Sequence, residues 1–369
     1  MSGARLAVGS EVGREELDIN CRIFMSDAKT IREHCCHRIL RRFFSLSGFL
    51  TTVLLLTAYC SPLTLLAQTE PVDPDERIRI ETDLVDINVS ILSRDPTRPP
   101  GALSQKDFLV FENGALQEIA FFGSTERPFD LVLLLDLSGS TSNKLDLIKK
   151  STQRFVDAAP AVDRIAVVTF TRNVQVAAPL TSDRQILQKA ISQIEEADGG
   201  TNFWDALRYV LESMLPRRDL KRSPSRSAVV VMTDGVDNAL PEVFGEGSTT
   251  TFEQLVQTLR SSEAIVLPVY LDTEEAEVKR GRIPVSAYVL ARQQLAILAE
   301  ESGNVVYHAR KLKDLDKVYE RVIRDLGTVY SLGYRPANRN RDGAWRSISV
   351  QVPSRPDLAV RARRGYFAK

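Results

Sequence analysis

The sequence predicts an α/β domain, doubly wound around a mostly parallel sheet and flanked by antiparallel β segments. Three patterns lead there. Short, continuously apolar runs recur at residues 131–135, 165–170, 228–232, 264–267 and 305–307, the signature of strands covered on both faces. Segments of helical period lie between them: Phe203, Leu207, Val210, Leu211 and Met214 share one face, as do Leu315, Val318, Tyr319, Val322 and Leu326. Outside this region the period falls to two, which marks half-buried antiparallel strands.

From the amino end, no charged residue occurs between residues 43 and 67, and Arg38, Arg41 and Arg42 stand just before that stretch. A basic flank, an apolar run and a small closing residue, Ala67, make a secretory signal. Retained uncleaved, the same stretch is long enough to anchor the chain in a bilayer. In both cases the arginines stay inside and the remainder is exported. All four cysteines, Cys21, Cys35, Cys36 and Cys60, lie within the first 60 residues, so the exported part depends on core burial and not on disulfides. The cluster His34-Cys35-Cys36-His37 is too closely spaced to close one tetrahedral zinc site. The chain therefore divides into a signal peptide or N-terminal anchor with a preceding tail (residues 1–67), an N-terminal β segment (68–128), the α/β domain (129–328) and a C-terminal β segment (329–369).

Within the first β segment Val85, Ile87, Val89 and Ile91 alternate with Asp86, Asn88 and Ser90. Residues 108–111 and 119–122 read as strands around Glu112-Asn113-Gly114, where Asn-Gly signals a hairpin. In the α/β domain Gly303 and Gly327 sit where helix C-caps are expected. Pro268 cannot donate to a ladder, which predicts a strand end or bulge. In the last segment Ile348, Val350 and Val352 alternate with polar neighbours, and residues 358–367 read as one final strand. Two arrangements of the flanks remain open: one β-sandwich into which the α/β domain is inserted, or two flanks that each extend or cover the α/β sheet.

Composition removes several function classes. The 369 residues carry 48 basic and 48 acidic side chains, which leaves no global electrostatic footprint for nucleic acid. Three histidines exclude a histidine-rich metal centre. Arg217, Arg218, Lys221, Arg222 and Arg226 read as a solvated basic patch beside the negative end of a helix. His308 and Trp204 read as structural.

The chemistry lies in three loops. Asp136-Leu137-Ser138-Gly139-Ser140 follows the first apolar run, Gly199-Gly200-Thr201-Asn202 precedes a helix, and Thr233-Asp234-Gly235 follows the run at 228–232. In doubly wound folds, ligands bind beyond the carboxyl ends of the strands, where such loops fall. Asp136, Ser138, Ser140, Thr201 and Asp234 together offer two carboxylates and three hydroxyls. Hard divalent cations take oxygen ligands. Two aspartates offset a double positive charge, while hydroxyls add geometry without charge, so a cation held this way keeps positions open to an outside carboxylate. Asp205 and Asp237 stand near the motif and are not assigned as ligands.

Asp-x-Ser-x-Ser, a separate threonine and a separate Thr-Asp-Gly resemble the metal-ion-dependent adhesion site of von Willebrand factor A (VWA) domains, over roughly residues 130–326. The flanks are similar to those of a bacterial VWA-related family of acidobacterial type. Leu103-Ser104-Gln105-Lys106-Asp107-Phe108, Phe111-Glu112-Asn113-Gly114 and Gln117 match its leading segment, and Arg361-Ala362-Arg363-Arg364-Gly365-Tyr366-Phe367 its closing one. The resemblance implies Mg²⁺, or another divalent cation such as Mn²⁺ or Ca²⁺, held by the five residues, and a protein or matrix ligand that presents an acidic residue to it. It also implies that movement of the last helix, residues 315–326, can change the affinity of the metal site. It points to no enzyme, no nucleic acid and no membrane contact beyond a retained anchor. Two other classes compete with adhesion: a metal-independent scaffold of the envelope, and a Mg²⁺-dependent phosphate-ester hydrolase. The hydrolase needs a general acid two positions after Asp136, where this chain has Ser138.

Overall fold

The computed structural model describes residues 84–95, 100–141, 145–195, 199–215, 225–309 and 314–368. The signal or anchor read over residues 1–67 lies outside them, as do Arg217, Arg218, Lys221 and Arg222. Four strands come first: β1 (Val85–Ser93), β2 (Leu109–Glu112), β3 (Ala115–Gln117) and β4 (Ile119–Gly123). The α/β region follows with β5 (Phe129–Asp136), α1 (Leu145–Ala158), β6 (Arg164–Phe170), β7 (Val174–Thr181), α2 (Arg184–Ser192) and α3 (Phe203–Tyr209). It continues with β8 (Arg226–Thr233), α4 (Phe252–Ser261), β9 (Ile265–Leu271), α5 (Glu274–Lys279), α6 (Val285–Glu301), β10 (Tyr307–Ala309) and α7 (Leu315–Leu326). The chain closes with β11 (Val329–Tyr334), β12 (Trp345–Gln351), β13 (Leu358–Ala362) and β14 (Gly365–Phe367).

The six-stranded sheet has the order β10-β9-β8-β5-β6-β7, parallel except for β7. Continuous apolarity places β5 at its centre. Leu131, Leu133 and Leu135 join one core with Ile148 and Phe155 of α1, Leu187 and Ile191 of α2 and Tyr319 and Val322 of α7. Val132 and Leu134, pointing the other way, join Phe203 and Leu207 of α3, Leu255 of α4 and Tyr288 and Leu295 of α6. The helices therefore cover both faces, as the apolar runs require.

The flanks form one sandwich. Its sheets have the orders β13-β1-β11-β4 and β14-β12-β2-β3, so each contains strands from both ends of the chain. Ile87 and Ile91 of β1, Val110 of β2, Leu332 and Tyr334 of β11 and Ile348 of β12 share its core. The α/β region enters after β4 and leaves before β11, which selects insertion over separately extended flanks.

Several local expectations change. The Asn113-Gly114 hairpin pairs β2 with the short β3, not with residues 119–122. That segment is β4 and pairs with β11 in the other sheet. Residues 358–367 are two strands, one in each sheet, divided at Arg363-Arg364. The polar side of β1 is more than half covered: Asp86 and Ser90 are buried, and Asn88 Nδ2 donates to the Glu263 carbonyl at 3.0 Å. β7, an edge strand interrupted by Pro179, goes unread in the sequence because it is only partly covered and shows neither a continuous apolar run nor a clean alternation. Pro268 sits inside β9 opposite Val231, without bulge or register shift. The pairing of β9 with β10 begins only at Val269, one residue on. Gly303 follows α6 with φ +79°, whereas Gly327 ends α7 in ordinary right-handed conformation.

Arg226 is a further correction. It is buried, lies 4.1 Å over the Phe129 ring, and donates to the carbonyls of Val329, Thr125 and Arg127. Chain proximity to the other basic residues groups it with a surface patch. As the first residue of a central strand, it instead binds the two segments that connect the α/β region to the sandwich. Among the described residues no helix is long and apolar enough to cross a membrane.

Candidate metal centre

β5 and β8 are neighbours, with Leu135 beside Met232. The residues that follow them therefore emerge side by side at the carboxyl edge of the sheet. After β5 the chain turns sharply. Leu137 N donates to the Phe170 carbonyl at 3.0 Å, Thr141 N to the Ser138 carbonyl at 2.9 Å, and the buried Thr141 hydroxyl to the carbonyls of Asp136 and Ser138. This turn puts Ser138 and Ser140 together, their Oγ atoms 3.3 Å apart. Ser140 Oγ donates to Asp234 Oδ2 at 2.8 Å across the two loops. Asp136 accepts from Ser138 N (2.9 Å) and from Thr233 Oγ1 (2.6 Å), and Thr233 Oγ1 accepts from Gly235 N at 2.9 Å. Gly235 has φ +77°, and a Cβ there would lie 2.8 Å from Leu295 Cδ1, so this turn admits only glycine.

Four of the five residues singled out in the sequence thus form one hydrogen-bonded set. Thr201 lies outside that set and is tied by its backbone to the loop after β8: its N–H donates to Asn238 Oδ1 (3.0 Å) and its carbonyl accepts from Asn238 N (2.9 Å). Its hydroxyl makes no hydrogen bond to the other four. Asp136, Ser138, Thr201 and Asp234 are buried, whereas Gly139, Ser140, Gly199 and Gly200 are half-buried and carry the outward surface of these loops.

Asp136 is pushed well above the ordinary carboxylate range, first by burial and then by the charge of Asp234, against the hydrogen bonds from Ser138 and Thr233. A cation shared by the two would relieve both effects, and the neighbouring hydroxyls are the neutral oxygen donors that such an ion needs. The donor set fits a hard divalent cation. Among the described residues no group of three or more His, Cys, Asp or Glu side chains could hold a metal, so any site here depends on its hydroxyls.

Three supporting roles escape sequence reading. Thr273 Oγ1 donates to Asp234 Oδ2 at 2.7 Å and lies 2.8 Å from Tyr288 Oη. Because the threonine proton goes to the carboxylate, the tyrosine donates to the threonine, linking α6 to Asp234. Asp237, fully buried, accepts from Trp204 N, Ala239 N, Ser248 N and Ser248 Oγ. Asp205 accepts from Thr249 N and Thr250 N. The two unassigned aspartates therefore hold loops together, and Trp204 is buried core. His308 is exposed on β10, edge-on to Tyr270 at 5.6 Å.

Over 119 residues the chain is 29% identical to an uncharacterized protein of Borreliella burgdorferi, covering 30% of this chain and 33% of that protein. The chain thus spans about a third of the length of the curated relative it matches. Among solved structures it is similar to proximal thread matrix protein 1 from the mussel byssus with a zinc-occupied MIDAS motif, at TM-score 0.40 and 19% identity over 57% of this chain and 48% of that one. It is also similar to an aerotolerance-related membrane protein from Bacteroides fragilis, at TM-score 0.37 and 16% identity over 53% of this chain and 98% of that one. The family model of the von Willebrand factor type A domain matches residues 130–321, more than half of the chain, and the chain belongs to that family.

Proposed function

We propose that this is an exported, non-enzymatic binding protein whose VWA domain captures an acidic group of a protein or matrix ligand at a metal-ion-dependent adhesion site. Asp136, Ser138, Ser140, Thr201 and Asp234 would hold the cation, Mg²⁺ in the first instance. When bound, the ion supplies an electrophilic position that a carboxylate from outside can occupy. The chain's own residues do the rest. Asp136 and Asp234 supply the negative charge, the hydroxyls fix position without adding charge, and Thr233 orients Asp136. The observation that carries this reading is the 2.8 Å bond from Ser140 Oγ to Asp234, which brings the loops after β5 and β8 to one point. The hydroxyl of Ser138 is too weak an acid to serve as the general acid that acid–base hydrolysis needs, which favours binding over hydrolysis.

Calorimetric titration tests the reading. Mg²⁺ at about 100 times its dissociation constant should stabilise the wild-type protein by about 2.7 kcal/mol. Asp136→Ala should lose both the heat of binding and the stabilisation while it still unfolds cooperatively. Identical heats for the two proteins would overturn the site. Ligand capture that survives EDTA would favour a metal-independent scaffold instead.

A further inference from the structure

Phe244 is 86% exposed, more than any other large hydrophobic side chain among the described residues. It stands on the loop of residues 239–247, which follows the Asp234 turn. Two other apolar residues of that loop anchor it: Leu240 is buried and Val243 packs against the core of α3, α4 and α6, while the small Ala239 and Pro241 are exposed. One aromatic ring is thus turned outward on a loop held to the core by Leu240 and Val243.

The backbone of Phe244 is tied to the Thr201 loop of the candidate metal centre. The Asn238 side chain accepts from Thr201 N through Oδ1 (3.0 Å) and donates to the Phe244 carbonyl through Nδ2 (2.9 Å). A single amide group therefore spans one of the proposed cation-holding loops and the backbone of the aromatic residue. The loop is tightly closed. A Cβ on Gly245 (φ +109°) would meet Asn238 Nδ2 at 2.5 Å, and one on Gly247 would meet Ala239 N at 1.9 Å. Glu242 adopts φ +64°, and its carboxylate accepts from Ser286 Oγ at 3.3 Å. Asp237 ties the far end of the loop through Ser248. Glu242 and Glu246, both exposed, stand two residues to either side of Phe244 along the loop.

We propose that Phe244 is the partner-selecting residue of this site, and that the partner is a protein segment carrying a single acidic residue bordered by an apolar side chain. This rests on the metal reading above: the acid completes the cation's shell while its neighbour covers the phenyl ring. Glu242 and Glu246 repel a run of acids, which narrows the ligand to an isolated acid beside an apolar residue.

A random-peptide display library panned on the immobilised full-length protein in Mg²⁺ and eluted with EDTA tests the proposal. Recovered peptides should carry Asp or Glu next to an aromatic or aliphatic residue. Phe244→Ser should weaken them about tenfold or more, since it removes an apolar contact worth that much. Phe244→Leu should retain most of the affinity, and calorimetric Mg²⁺ uptake should match wild type in both variants. Peptides that lack the apolar neighbour, or that bind Phe244→Ser as tightly as wild type, would overturn the proposal. So would a protein that takes up Mg²⁺ yet yields no EDTA-released peptide. Failure of the wild type to take up Mg²⁺ would strike the metal reading itself, and this proposal with it.

Discussion

In the sandwich core Glu112 is buried against a guanidinium: Arg346 Nη1 lies 3.3 Å away, and the hydroxyls of Tyr334 (2.6 Å) and Tyr366 (2.9 Å) donate to the same carboxylate. At the strand ends of the α/β sheet Asp136 and Asp234 are buried as deeply, but the donors described above for them are hydroxyls and backbone amides. Taking a carboxylate out of water costs several kcal/mol, which only good compensation offsets. In the sandwich the compensation is internal. A buried arginine cancels the charge, and burial together with Glu112 keeps both phenols protonated, Tyr366 being pushed up to about 12. At Asp136 a hydroxyl and a backbone amide satisfy the oxygens without cancelling the charge, and burial together with the charge of Asp234 raises its pKa. The first arrangement is complete as it stands and reads as structural. The second gains from an added cation, and this difference separates a buried acid that holds a fold together from a pair set to bind.

Removing the counter-charge in the sandwich tests the distinction most severely. Arg346→Met would leave Glu112 charged in an apolar core and should cost about 3–5 kcal/mol of stability, measured by urea unfolding, with Mg²⁺ uptake unchanged. Adding Glu112→Gln should recover most of the loss. A loss under about 1 kcal/mol, the scale of a surface pair, would erase the contrast between the two clusters.

The α/β half of this comparison was legible in the sequence because its signals are local. Each apolar run names a buried strand, and the loops that follow carry the donors within a few residues. The sandwich was legible only as strands. β1 pairs with β11 some 240 residues away, and no local pattern records which end of the chain a strand will join; the register Val85 with Tyr334 is fixed only in three dimensions. The Asn-Gly turn was correctly placed, but a turn says nothing of where its second strand stops, so the change of sheet after Gln117 was missed. The site shows the same division. Five ligand candidates were readable as a motif, whereas Thr273, 39 residues beyond Asp234, and Tyr288 have no spacing that announces them.

Asp86 lies between the two extremes and sharpens the comparison. It is buried on β1, Oδ1 has no hydrogen-bond partner among the described residues, and its cationic neighbours are Arg127 and Arg363. Burial, then Glu263, outweighs those cations and raises its pKa from 3.8 to about 6. The folded protein thus holds this proton more tightly than the unfolded chain does. Its contribution is fully favourable below about pH 4 and is lost as pH rises through 6, a difference of about 3 kcal/mol. Asp86→Asn should therefore be more stable than wild type at pH 8 by up to that amount, with the two converging near pH 4 in urea titrations. Equal stability at both pH values would mean that the arginines neutralise Asp86 as completely as Arg346 neutralises Glu112.

The smallest expected effect concerns the second hydroxyl on Asp234. Thr273→Val keeps the shape of the side chain and removes its proton, so Asp234 Oδ2 retains Ser140 as donor but loses Thr273, and the Tyr288 hydroxyl loses its acceptor. Hydrogen bonds that orient a ligating carboxylate tune metal affinity by 10- to 100-fold where they have been removed. Since Ser140 still donates to Oδ2 here, the lower end applies: about a tenfold loss of Mg²⁺ affinity, or about 1.4 kcal/mol. Thr273→Ser should restore binding by restoring the hydroxyl. Tyr288→Phe, which leaves the bond from Thr273 to Asp234 in place, should change affinity less than Thr273→Val while still lowering stability by about 1 kcal/mol. If Tyr288→Phe instead matched Thr273→Val in calorimetry, α6 would position Asp234 through the tyrosine, and the threonine would serve only as its relay.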